Sequence, residues 1–349
     1  MMNQVQGPGI QEKLLGRLKR LLPENMSIVD VLSDLLQIST DSVYRRLRNE
    51  TDLSIEEVSK ICQHFNISFD ELNTMDNASS VTFTFSPLST VADYKSYLRS
   101  IRDDMLRFSA APESKITWAA EDIPIFHHFR FPYLATFKVY YWFHCIIHTE
   151  EHRDKKFNPL LIDGEIKELC KEIYNLYARI PSVEIWTDLT VASLFVQVDY
   201  VWQSGLFESK EDALHLCTLI EAEIDKIARE AELTCKLGFN DEQILEEDTF
   251  RLYHSDIEIG NNTIFVNTGQ NKILYLTHNT MNKIVTVNRQ FCDSTELWIN
   301  NLKKKSNLIS GVSEKHRYQF FNRIKSQLRT LEKQIREDDS MPISSSLLD

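Results

Sequence analysis

Glycine and proline are scarce, nine of each in 349 residues, and a chain so poor in glycine has little material for loops that cradle phosphates. No Gly-x-x-x-x-Gly-Lys-[Ser/Thr], Gly-x-Gly-x-x-Gly or Gly-x-Ser-x-Gly run occurs, so the usual marks of nucleotide-binding and serine-hydrolase sites are missing. The six cysteines, Cys62, Cys145, Cys170, Cys217, Cys235 and Cys292, form no close pair, which argues against a Cys-x-x-Cys metal site and a disulfide framework. A reducing cytoplasm is the expected compartment. There is no run of about twenty uncharged apolar residues, and the opening MMNQVQGPGI has no apolar core of secretory type. Neither export nor membrane spanning is expected. The tryptophan, glycine and tyrosine spacings of a 34-residue helix-pair repeat are also missing. Positive charge is lacking overall, with a net charge of -12, so any nucleic-acid contact must be local. What the chain does have is 42% apolar residues, enough for two or three domains that each bury a core.

Locally the sign of the charge reverses. Residues 10 to 22 carry Lys13, Arg17, Lys19 and Arg20 against Glu12, and residues 39 to 49 carry Arg45, Arg46 and Arg48 against Asp41. The stretch from Ser27 to Asn49, SIVDVLSDLLQISTDSVYRRLRN, reads as two short helices and a tight turn. Ile28, Leu32 and Leu35/Leu36 give the first helix one apolar face. Ser39 or Thr40 offers an N-cap oxygen to the second. There Val43 and Leu47 point inward, which leaves Thr40, Asp41, Ser42, Tyr44, Arg45 and Arg48 outside and Arg46 at the margin. Apolar helical patterns at 11 to 22, 53 to 67 and 68 to 72 complete a bundle of five helices.

With the turn, the arginine-rich second helix and the run LSIEEVSKICQHFNISFDEL at 53 to 72, this stretch resembles the lambda-repressor-like (XRE-type) helix-turn-helix family. The resemblance covers roughly a fifth of the chain. It implies a sequence-specific transcription regulator that is not an enzyme, bound to double-stranded DNA as a homodimer. On the outward faces, Thr40, Asp41, Ser42, Tyr44 and Arg45 are the expected base readers, and Lys13, Arg17, Arg20, Arg46 and Arg48 the expected phosphate contacts. Gln37 stands where the family usually has glycine, and a left-handed backbone there costs a non-glycine residue about 1 kcal/mol or more. The competing reading is an adaptor whose helical head is a docking bundle with a solvated basic face.

The expected fold class is α+β, mainly α: a helix-turn-helix domain at 1–75, a linker and short strand at 76–89, a regulatory or dimerisation domain at 90–337 and a disordered tail at 338–349. Within the large domain, helices are expected at 90 to 109, 133 to 148, 163 to 179, 188 to 204 and 209 to 237, the last opening on a capping box from Ser209 to Asp212. An antiparallel β-meander is expected over 249–287, with helices over 291–335. Tyr94, Leu98, Ile101, Met105 and Phe108, and again Phe321, Ile324, Leu328, Leu331 and Ile335, recur at three and four, forming two seams able to hold a second chain. The aromatic stretch from 118 to 143, with His127, His128 and Arg130 among its rings, suits a cavity for a small-molecule effector; from the family resemblance a peptide effector is also open. His148-Thr-Glu-Glu151-His152 fits His-x-x-Glu-His, the pattern of an inverted zinc peptidase, but so short a pattern arises easily by chance. No metal or cofactor is expected.

Overall fold

The computed structural model describes residues 9–22, 26–65, 67, 69, 81–279 and 281–338, with Arg20 and Leu21 described by their backbone only. Residues up to Thr82 and those from Phe83 onward form two compact units.

The first unit contains α1 (Ile10–Leu21), α2 (Ile28–Leu36), α3 (Thr40–Leu47) and α4 (Ile55–His64). Leu14 and Leu18 of α1, Leu32 and Leu36 of α2, Val43 of α3 and Ile61 of α4 meet in one core, because residues three and four apart share a helix face. The fifth helix expected at 68 to 72 falls almost wholly outside the described residues. The turn of the helix-turn-helix and the end of α3 are each closed by a left-handed residue other than glycine. Gln37 sits at φ 55 and ψ 46, and Ile38 N–H then bonds the Ser33 carbonyl at 3.2 Å. Asn49, at φ 56, does the same for α3, with Glu50 N–H on the Arg45 carbonyl at 2.8 Å. These are helix terminators of the Schellman kind.

The second unit joins many helices to one eight-stranded mixed sheet. Its strands are β1 (Thr84–Phe85), β2 (Lys115–Ala120), β3 (Ser182–Trp186), β4 (Phe250–His254), β5 (Thr263–Asn267), β6 (Lys272–His278), β7 (Asn282–Thr286) and β8 (Asn307–Leu308). They lie in the order β1-β7-β6-β5-β2-β3-β4-β8. β2, β3 and β4 run parallel, and the other pairs are antiparallel.

Helices fill the crossovers that parallel pairing demands. α5 (Val91–Ala110) precedes β2. α6 (Ile125–Phe129), α7 (Pro132–Tyr141) and α8 (Gly164–Tyr177) link β2 to β3; α9 (Asp188–Gln203) and α10 (Lys210–Leu233) link β3 to β4. α11 (Arg289–Lys304) and α12 (Glu314–Glu337) follow β7 and β8. Alternate strand residues face opposite sides: Trp118, Leu252 and Val266 join the large core under α5 to α10 and α12, whereas Ala119, Ile185 and Phe265 meet Cys292 and Ile299 of α11 on the other side.

The fold class is α+β and mainly α, as expected, with three corrections inside it. The stretch from 90 to 238 is not purely helical, since it holds β2 and β3. Every residue of β3, and all but the first of β2, is buried, so neither shows the in-out alternation that marks a strand at a surface. The meander is shorter than 249–287: only β5, β6 and β7 follow one another antiparallel, β4 lies beyond β2 and β3, and Ile257-Glu258-Ile259 is not a strand. Finally, α10 stops at Thr234, left-handed at φ 54, before reaching Gly238. Its expected start holds, with Ser209 and Asp212 capping each other's backbone.

Both seams are spent inside this unit. Tyr94, Leu98 and Met105 of α5 are buried where α5 packs on α8. Phe321, Leu328 and Ile335 of α12 are buried against α10 and α9. Apolar surface covered in this way is not there for a second chain.

Candidate nucleic-acid interface

The position of α3 in the first unit is fixed from two sides. Ser39 caps its start, accepting Ser42 N–H at 3.3 Å, and the two hydroxyls lie 2.9 Å apart. From α4, Glu57 closes a capping box with Ser54 and also takes Arg46 in a two-toothed ion pair, Nε–Oε2 at 3.1 Å and Nη2–Oε1 at 2.8 Å. The third guanidinium nitrogen of Arg46 reaches the Ser42 carbonyl at 3.1 Å. From α1, the Gln11 amide donates to the carbonyls of Arg46 and Thr51, both at 3.0 Å, and accepts Leu53 N–H at 2.7 Å. Glu12 receives Asn49 Nδ2 at 2.8 Å. Two carboxylates and one amide thus tie the C-terminal half of α3 to both neighbouring helices.

What this frame presents outward is the middle of α3. Thr40, Asp41, Tyr44 and Arg45 are exposed and Ser42 half-buried; nearly half of the Tyr44 surface is open. Among the described residues the Arg45 guanidinium holds no ion pair, which leaves its fork for an outside acceptor. The expected phosphate set divides. Arg48 is exposed, and its pair with Glu50 at 2.8 Å is exposed as well; the nearby carboxylate raises the Arg48 pKa, through hydrogen bonding first and charge second. Arg46 is only 16% exposed and fully engaged with Glu57. Its fork serves the fold. Lys13 and Arg17 on α1 are half-buried, and the Arg20 side chain lies outside the described residues. Gln11 and Glu57 were missed in the sequence because a polar residue on an amphipathic helix gives no sign of the partner it will meet, backbone 35 to 42 residues away for Gln11 and the Arg46 guanidinium eleven residues away for Glu57.

Residues 17–77 match the family model of the Cro/C1-type helix-turn-helix DNA-binding domain. The N-terminal fifth of the chain is a Cro/C1-type helix-turn-helix domain. No curated protein and no solved structure matches the chain. The domain accounts for α2, the turn and α3, whereas most of α1, Gln11 included, precedes the matched stretch. A Cro/C1-type domain reads DNA with the second helix of the motif in the major groove, and α3 is that helix here. Among the described residues no helix is long and apolar enough to cross a membrane.

In the second unit the His-x-x-Glu-His stretch is not helical. The π-helical turn that extends α7 ends at Ile146, and His148 has a left-handed backbone at φ 55. His152 is buried, bonded through Nδ1 to Thr149 Oγ1 at 2.9 Å, while His148 is exposed. Four-residue spacing places two histidines on one face only within a helix.

The ionisable side chains of this unit that matter lie inside it. His127 Nε2 is 2.9 Å from Glu184 Oε1, and Tyr177 and Trp186 donate to the same carboxylate. Burial opposes a charge on His127, but Glu184, Glu230 and Glu223 together raise its pKa. Glu184 is pushed up by burial, yet His127 and Tyr177 hold it below the ordinary carboxylate value. Lys236 donates to the carbonyls of Tyr177 and Ile180, both at 2.6 Å, and burial brings its pKa down to about 7. His128 pairs with Glu223 at 2.8 Å. His127 and Arg130 line only a small space of about 160 Å³, and of the aromatic stretch expected to line an effector cavity, other residues do so. A larger cavity takes Trp118, Phe126 and Lys138 from the same aromatic stretch.

Proposed function

We propose that the chain is a sequence-specific transcription regulator that binds double-stranded DNA through α3 as a homodimer, and whose second unit responds to a small effector without catalysing a reaction. The observation that carries the DNA reading is the exposed Arg45 and Tyr44 on a helix clamped by Gln11 and Glu57 in a Cro/C1-type domain. One such helix covers only a few base pairs, and two-fold pairing of heads is the usual way to lengthen the contact. For the dimer, support comes from α9, where the exposed Leu189, Val196 and Tyr200 recur at seven and four and form one stripe. The seams on α5 and α12 have no part in it.

Fluorescence anisotropy of the full chain on genomic fragments at two salt concentrations tests the reading. Affinity should fall by about 0.9 log unit per log unit of salt for each phosphate neutralised, and one fragment should stand out from the rest. Salt-independent or wholly sequence-blind binding would return the head to the role of a docking bundle. For the dimer, Val196→Glu should halve the mass seen by light scattering and weaken binding to the preferred fragment; an unchanged mass removes α9 from the account.

A further inference from the structure

Between α5 and the face of the sheet formed by β2, β5, β6 and β7 lies a cavity of about 840 Å³, part of it open to solvent. An apolar wall carrying a few polar groups is the make-up of a ligand site. Most of the wall is apolar: Ile101, Met105, Trp118, Phe126, Ile264 and Val266. Four polar groups on the wall are already satisfied. Lys283 pairs with Asp104 at 2.8 Å, Tyr275 donates to the same carboxylate at 3.2 Å, and Tyr97 donates to the Met281 carbonyl at 2.6 Å.

The wall also holds Lys138. It sits in the middle of α7, where every residue from Leu134 to Tyr140 is buried, and the Lys138 side chain is itself 5% exposed. Its ammonium donates to Gln197 Oε1 at 2.6 Å, a neutral partner. Among the described residues no carboxylate forms an ion pair with it. Asp122, on the cavity wall, and Glu223 act only at longer range, and burial outweighs both and lowers the lysine's pKa. A buried cation without a counter-ion is costly, and a lysine on an apolar core helix is unexplained by packing.

We propose that this cavity binds a small molecule with an apolar body and one carboxylate, which ion-pairs with Lys138. A single charge fits because one ammonium is unneutralised and Asp122 stands on the same wall; a dianion would meet repulsion. The proposal rests on the effector reading above and supplies its ligand class.

Thermal shift and calorimetry on the full chain, with octanoate and 4-phenylbutyrate set against the alcohols and amines of the same skeletons, test it. Each acid should raise Tm and bind at least about tenfold more tightly than its alcohol, the order of one buried ion pair, and the amines should not bind. Lys138→Met should fold, because losing an unpaired buried charge does not harm a core, and should erase the preference for acid over alcohol. Ile264→Trp, at a half-buried wall position, should fill the space and abolish binding of both. Equal binding of acid and alcohol, or acid binding undiminished in Lys138→Met, overturns the assignment, as does failure of every probe to bind. Anisotropy on the preferred DNA fragment with saturating octanoate separates the two readings. Binding with unchanged DNA affinity leaves the cavity assignment standing and removes its role as effector site.

Discussion

The two units treat charge in opposite ways. In the Cro/C1-type head the described buried core is aliphatic around Leu14, Leu32 and Val43, with Phe65 packed against it, and one ion pair near the surface, Arg46 with Glu57, braces α3. In the second unit Glu184, Glu223, Glu230, His127, His128, Lys138 and Lys236 are all buried. A surface that must meet phosphates needs free cations and gains from water around them until DNA replaces it. A core that holds charges has accepted a desolvation cost, which hydrophobic residues of the same size would have avoided. The comparison separates the roles: the head keeps charge for a partner outside, and the second unit keeps charge where only protons or a small ligand reach it.

The largest expected effect is on the buried side. Glu184→Gln leaves His127 facing a neutral amide and should cost about 3 kcal/mol or more in chemical denaturation. The sign of the pH dependence follows from His127, whose folded pKa is raised above its ordinary 6.5. Its contribution is complete below that value and is lost as pH rises through the folded pKa. The His127 contribution should therefore fall on the alkaline side of 6.5, where Lys236 with its lowered pKa acts in the opposite sense, and Glu184→Gln should remove the His127 part of the slope; an identical slope in the variant would detach His127 from Glu184.

Next comes the seam of α12. Leu328→Ala should cost roughly 2 to 5 kcal/mol, the loss for a leucine in a packed core, and the loss should be the same at every protein concentration. A concentration-dependent loss would mean that the seam holds two chains together.

Within the head, the contrast between neighbouring arginines sharpens the picture. Arg45→Ala should weaken specific DNA binding by about 1 to 3 kcal/mol and leave unfolding unchanged. Arg46→Ala should instead lower stability by about 1 to 2 kcal/mol, the loss expected for a partly exposed charge-assisted bond, measured by urea unfolding. Should the two variants behave alike, the division between reader and brace fails. Smallest is Gln37→Gly. Relief of the left-handed backbone, about 1 kcal/mol, is partly offset by the freer unfolded chain, so a gain of about 0.5 kcal/mol in the head is expected.

Much of the head was legible because its signals are local. Helical spacing of Ile28, Leu32 and Leu36, the Ser39 cap and the inward pair Val43 and Leu47 depend on residues a few positions apart, which share a helix face whatever else the chain does. The arginines on α3 and the family resemblance followed from the same stretch. The same locality located the helices of the second unit except α6, from α5 with its five-residue seam to α12, and the strands β5, β6 and β7.

Tertiary structure alone decided the rest. In KITWAA and SVEIW the polar-apolar alternation lasts only four residues, Lys115 to Trp118 and Ser182 to Ile185, and its polar members Thr117 and Glu184 are buried, a placement that folding alone decides. An amphipathic seam states that one face will be covered but not by which chain, and α8, α9 and α10 supplied the cover. Arg45 and Arg46 are adjacent and chemically identical in the sequence; only the placement of Glu57 beside one of them separates the brace from the reader. Lys138 likewise looks like any lysine until α9 and the sheet close around it, because what a charged side chain does depends on the partners that folding brings within a few ångströms, and sequence spacing does not encode those partners.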